Sequence, residues 1–282
     1  MSGTKLQSTA LDDILATECT LPSLPRVLAL LTTELAQAEP NLRRVNRWFC
    51  GDPVLAARLL QEANAQPHPL SGKVGSIAEA MVLLDTAQLR LFASQAFLGT
   101  TSGSVPGVNL QHFWRYSVNT ARIMRSLAGV IGRNQALAYA TGLLHGLGEL
   151  VLHLRDPEGC RAVATVAGPL DLRRAKAERR AWGYDYAAVS AAMARQWRFP
   201  AEFVDTLSSH SAPFDGETYE PLAAVLHLAS WRARAREAGL SQRELAASFP
   251  GEVGVVLEMD MDTVLQQDPI DWKAQPNAGE YV

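Results

Sequence analysis

Apolar residues recur along this chain at helical spacing, and that regularity constrains the fold more than any other feature. Leu24, Val27, Leu28, Leu31 and Leu35 are stepped by three, one, three and four residues, which puts them on one stripe of a 3.6-residue period. Comparable stripes follow at Leu42, Val45 and Phe49, at Leu55, Leu59, Leu60 and Ala63, and at Ile77, Met81 and Leu84. A helix over 88–98 closes the first half. Phe113, Tyr116, Ser117, Thr120, Met124 and Leu127 make another inward face, 136–152 reads as one very apolar central helix, and 222–236 as an amphipathic one. Strand-like alternation is confined to 252–259. The pattern predicts an all-α protein.

The punctuation agrees with the periodicity. Asp52-Pro53 pairs a good N-cap with the residue best tolerated at the first helical position, and Asp156 precedes Pro157 in the same way. Ser76 with Glu79, and Ser241 with Glu244, have the capping-box spacing. Pro169 and Pro200 are further helix starts, and Gly239 is a stop. The Gly/Ser/Pro-rich stretch 99–109 has no apolar period of its own and is the best internal boundary. The expected organisation is an N-terminal extension over 1–20, a helical subdomain over 21–105, a second packed against it over 106–239, and a short helix and tail over 240–282, frayed from 275 onward.

Bulk properties exclude several classes. With 26 Lys and Arg against 29 Asp and Glu, the net charge of -3 offers no general attraction to nucleic acid or anionic membranes, so any partner is recognised locally. Three widely spaced cysteines, Cys19, Cys50 and Cys160, predict neither a disulfide framework nor a zinc cluster and fit a reducing cytosol. The first twenty residues lack the apolar core of a signal peptide, and no segment has the composition of a membrane span. A cytoplasmic location is expected.

Short strings in a fixed order carry a resemblance. They are Leu21-Pro22-Ser23-Leu24-Pro25, Asp52-Pro53-Val54-Leu55-Ala56-Ala57-Arg58-Leu59-Leu60, Ala63-Asn64, Ser76-Ile77-Ala78-Glu79-Ala80, Phe113-Trp114-Arg115-Tyr116-Ser117, Ala140-Thr141-Gly142-Leu143-Leu144-His145-Gly146-Leu147-Gly148 and Trp197-Arg198-Phe199-Pro200. Together, over 21–210, they resemble the HDOD family, helical bacterial output domains related to HD metal phosphohydrolases. The resemblance implies that the second subdomain is HD-domain-like, and that the chain belongs among proteins linked to motility, biofilm or second-messenger behaviour.

The related enzymes hold metal ions with an adjacent His-Asp pair, an upstream His and a downstream Asp, and the ions activate water against a phosphate ester. Here His145 stands at the His position, but Gly146 follows it with no side chain to coordinate anything. Tyr116 replaces the upstream His, and a phenol that keeps its proton is a poor ligand. Further on, Glu178, Gly183 and Tyr186 resemble a Glu-Gly-His pattern with Tyr for His, Ser209-His210 a His pair with one member replaced, and Ala229-Ser230 an Ala-Asp pair without its Asp. His145, Glu149 and His210 survive as weak metal candidates, with His153 and His227 as further, weaker survivors. The reading adopted for His145 is a buried histidine with one hydrogen bond, and no cofactor is expected.

Arginines cluster at Arg43, Arg44 and Arg47, at Arg173, Arg174, Lys176, Arg179 and Arg180, and at Arg232, Arg234 and Arg236. Such runs ordinarily mark solvated helix faces. The functional alternative is an anion site for a cyclic dinucleotide, phosphoprotein or nucleic acid, with Arg173, Arg174, Lys176, Arg179 and Arg180 as the preferred residues. The expected function is therefore non-catalytic signalling through a protein partner or a small signal. A phosphohydrolase with an altered ligand set is the alternative, and nucleic-acid binding ranks behind both. Apolar strips at 253–257 or on 222–231 are the candidates for a homodimer contact.

Overall fold

The computed structural model describes residues 11–16, 19–65, 72–98, 104–216 and 218–266, and every regular element among them is helical. In chain order these are α1 (Leu11–Leu15), α2 (Pro25–Leu35), α3 (Leu42–Gly51), α4 (Pro53–Ala65), α5 (Ile77–Leu83), α6 (Thr86–Leu98), α7 (Leu110–Val130), α8 (Gln135–Leu144) and α9 (Leu147–Arg155). There follow α10 (Pro157–Ala164), α11 (Arg174–Trp182), α12 (Tyr186–Gln196), α13 (Ala201–Ser209), α14 (Pro221–Glu237), α15 (Gln242–Ser248), α16 (Gly251–Val256) and α17 (Met261–Gln266). The tail from 275 and residues 99–103 of the boundary loop lie outside the described residues.

The predicted caps are made. Asp52 Oδ1 accepts from the N–H groups of Val54 (2.9 Å) and Leu55 (3.0 Å), while Oδ2 accepts from Leu24 N–H (2.7 Å), so one buried carboxylate starts α4 and ties it to the entry of α2. Both capping boxes form, and Asp156 caps α10 through Gly159 N–H at 2.8 Å. Pro169 starts nothing: residues 168–174 fold into turns, with Asp171 N–H on the Gly168 carbonyl and Arg174 N–H on that of Asp171, and α11 begins only at Arg174.

The long helix α7 packs along α8 and α14, and α12 packs between α9 and α13. A single buried apolar cluster runs from Ile14 to Val264 and includes residues on both sides of the predicted boundary. At two crossings the chains approach so closely that only glycine fits. A Cβ on Gly142 would lie 2.9 Å from Ala121 Cα, and one on Gly148 would lie 2.2 Å from the Tyr186 carbonyl oxygen.

Three expectations are corrected. The apolar run 136–152 is two helices, broken at His145 and Gly146. Ser190 holds the break, donating to the His145 carbonyl (2.8 Å) and accepting from Gly148 N–H (2.8 Å). Residues 252–259 form no strand; most of them lie in α16 and its C-terminal turn. Finally, α14 is buried around its circumference, Arg232 and Arg234 included, so neither a solvated arginine face nor an open apolar strip exists on 222–231. Arg232 ends instead on the carbonyls of Val264 (2.6 Å) and Leu265, the last turn of α17. In the other dimer candidate Val253 and Leu257 face inward, whereas Val255 and Val256 are exposed.

Candidate functional site

The break between α8 and α9 sets His145 at the C-terminus of α8, where α7, α12, α13 and α14 converge. Tyr116 projects from α7, Tyr186 from the first turn of α12, and His210 from the end of α13. His227, Ser230 and Arg234 lie three and four residues apart on α14 and so share a face. Sequence spacing brought only His145 and Gly146 together; the tertiary fold supplies the rest.

Geometry settles the protonation of His145 and His210. His145 Nδ1 lies 2.7 Å from the Gly142 carbonyl oxygen, which can only accept, so Nδ1 carries the proton. Nε2 is then a lone pair, and it accepts from the Tyr116 hydroxyl at 2.7 Å. His210 repeats the arrangement: Nδ1 donates to the Leu207 carbonyl (2.7 Å), and Nε2 faces the Tyr186 hydroxyl at 3.3 Å. Burial, with smaller contributions from His210 and Arg234, holds the His145 pKa well below the ordinary value, and burial takes that of His210 down to about 4. Burial likewise pushes Tyr116 and Tyr186 up, so both phenols keep their protons. The expected single hydrogen bond of His145 is therefore two.

Between the two tyrosines lies Arg234. Its Cζ is 5.6 Å from the centroid of the Tyr116 ring and 5.5 Å from that of Tyr186, and Nη2 donates to the Tyr186 hydroxyl at 2.8 Å. No carboxylate among the described residues forms an ion pair with it. Phe113 occupies the space beside Gly146, where a Cβ would come within 3.1 Å of its ring.

A second buried polar cluster adjoins the first. Arg174 donates to Glu178 Oε1 (2.6 Å) and the Ala167 carbonyl (3.0 Å), and it reaches His153 Nε2 at 3.3 Å. Glu178 Oε2 accepts from Tyr186 N–H (2.7 Å), fixing the start of α12. Glu149 receives less: its Oε1 is 3.8 Å from Arg174 Nε and has no hydrogen bond, and burial, aided by the nearby Glu178 charge, raises its pKa to about 8.

The donor set does not fit the divalent metals that the resemblance implies. The lone pairs of His145 and His210 are taken by phenols, Gly146 offers nothing, and a guanidinium sits against both tyrosines. Among the described residues no three His, Cys, Asp or Glu side chains converge as a ligand group. Glu149 lies near this centre but turns toward Arg174, and His153 belongs to the second cluster, with Nδ1 on the Pro106 carbonyl at 2.7 Å.

The predicted anion stretch disperses. Arg173 is exposed and paired with Asp171, Lys176 and Arg180 are exposed, and Arg174 is fully buried on Glu178, which corrects the expectation that these residues share one open face. Arg179 bonds Asp185 and reaches Ser211 Oγ at 3.0 Å. The residue that sequence reasoning named but ranked behind the 173–180 stretch is Arg234, and a signal for its burial existed. Arg232 and Arg234 are two residues apart, hence about 200° apart around a helix, so one solvated face was never available to both.

Comparison with known proteins adds family and fold. The pattern that defines the HDOD domain matches residues 21–213. No curated protein sequence matches the chain. Among solved structures, the MmoQ response regulator of Methylococcus capsulatus str. Bath is 22% identical with a TM-score of 0.68, covering 88% of this chain and 97% of its own. A virulence factor of Campylobacter jejuni is 17% identical with a TM-score of 0.63, over 92% and 98%. A protein of Shewanella amazonensis SB2B, provisionally named a phosphohydrolase, is 26% identical with a TM-score of 0.52, over 92% of each chain.

Proposed function

This chain belongs to the HDOD domain family, and from that premise we propose that it is a bacterial, cytoplasmic, non-catalytic regulatory protein that acts by recognising a signalling partner or a small signal. One observation carries the reading. Each histidine lone pair that would bind a metal already accepts a hydrogen bond from a tyrosine hydroxyl, and a permanently charged guanidinium lies over both tyrosines. A divalent ion entering this centre would have to displace two buried hydrogen bonds and bear repulsion from Arg234. The centre is thus a structural hub joining α7, α8, α12, α13 and α14, which leaves the surrounding surface for recognition. The naming of MmoQ as a response regulator, a statement about that protein, is in keeping with such a role. Three free cysteines are in keeping with a reducing compartment.

The purified chain, assayed on phosphodiester and nucleotide substrates with added manganese, magnesium or iron, is expected to show no turnover above the metal-only blank. Turnover abolished by His145→Ala would establish the phosphohydrolase instead.

A further inference from the structure

We propose that the pocket over Arg234 is a binding site for a free small oxyanion of phosphate size. The inference deepens the recognition reading, on which it rests, by naming what this face of the centre around His145 and His210 takes. Arg234 is 6% exposed. Its guanidinium cannot lose its proton, yet it forms no ion pair among the described residues, and its Nε–H has no acceptor. Three other arginines of this half of the chain have a carboxylate, Arg174 with Glu178, Arg179 with Asp185 and Arg115 with Glu237, whereas the buried Arg232 is held by the carbonyls of Val264 and Leu265. The aromatic faces of Tyr116 and Tyr186 offset part of the desolvation of Arg234 but supply no countercharge.

The missing countercharge has a place to sit. Arg234 lines a pocket of about 190 Å³ together with His227, Ser230, Ser211 and Trp231. His227 donates Nδ1–H to the His210 carbonyl at 2.8 Å, which leaves Nε2 as an acceptor suited to a P–OH group. The Ser230 hydroxyl bonds the His227 carbonyl at 3.0 Å on the same helix face and is able to rotate toward a ligand. Asp185, which bonds the pocket-lining Ser211 (2.8 Å), is also held by Arg179 and by Ala188 N–H (3.0 Å), and Glu149, whose charge would act on Arg234, is kept largely protonated by burial, so neither carboxylate supplies the missing countercharge. At this volume the pocket falls below the roughly 300–1,000 Å³ that takes drug-sized ligands, which favours phosphate over a dinucleotide.

The test uses the full chain. Inorganic phosphate is titrated calorimetrically at constant ionic strength against chloride, and an ¹⁵N-arginine spectrum follows the buried Nε–H of Arg234. Saturable heat with a shift of that one resonance is expected. Arg234→Gln should weaken binding by about tenfold or more, the effect of removing one charge-assisted contact. His227→Leu, which leaves the buried arginine in place, should weaken it several-fold, so the test survives if the first variant does not fold. Phosphate no better than chloride, or undiminished binding by folded Arg234→Gln, would overturn the inference, as would a cyclic dinucleotide outcompeting phosphate. Absence of phosphate binding would sink this inference alone, whereas metal-dependent turnover would sink the non-catalytic reading whether or not phosphate binds.

Discussion

A phenol reaches farther from the backbone than an imidazole and keeps its proton at neutral pH, and both properties shape this centre. Tyr116 and Tyr186 donate where a histidine would offer a lone pair, so His145 and His210 become acceptors held neutral. This has a pH signature. His210 titrates at about 4 in the folded chain against an ordinary 6.5. Between those values the unfolded chain binds a proton that the folded chain does not, so stability rises as pH climbs from about 4 to 6.5 and this contribution is level above. Urea unfolding at stepped pH should show that slope reduced in His210→Asn. Glu149 has the opposite sign: its folded pKa of about 8 lies above the ordinary 4.5, so stability falls as pH rises from about 4.5 to 8, and Glu149→Gln should remove that fall. Gly146→Asp tests whether the absent carboxylate alone is decisive. Its Cβ would meet the Phe113 ring, so the variant should lose about 1–3 kcal/mol of stability and gain no manganese binding by metal analysis.

At the scale of elements, caps and close crossings decide where the helices lie. Asp52 holds three backbone N–H groups from two segments at 0% exposure, so Asp52→Ala strands buried donors and should cost about 2 kcal/mol or more in chemical denaturation. Gly148→Ala should be worse still, because its Cβ meets the backbone of α12 and not a side chain able to move; loss of soluble protein or a steep drop in melting temperature is the readout. Arg198 ends α12 at a φ of 58°, with Phe199 N–H closing on the Ala194 carbonyl at 2.9 Å. Glycine adopts that conformation freely, so Arg198→Gly should stabilise by up to about 1 kcal/mol.

For the molecule as a whole, the helical class, most helix starts and the family likeness were all legible in the chain, because periodicity and caps are local and act over a few residues. Leu24 to Leu35 and the Ser76 box folded as their spacing required. So was the chemistry of Gly146, which has no side chain to coordinate, and of Tyr116, whose phenol is a poor ligand, since a residue type states its own chemistry. What surrounds His145 was not legible. Arg234 is 89 residues from His145, Tyr186 is 41, and only packing of α12 and α14 against α8 brings them together. The arginine runs misled for the same reason: charge ordinarily predicts exposure, but Arg174, Arg232 and Arg234 are buried by partners far along the chain, or stacked on aromatic rings that composition does not reveal. The break at His145 is likewise a tertiary matter, held by Ser190 from another helix. The amino-acid order thus determined which segments coil and what chemistry each residue near His145 can offer, because those follow from residue type and from residues in sight of one another. Which cation stands beside Tyr116 and Tyr186, and whether it is paired, was decided by contacts between helices, where desolvation and distance set the outcome.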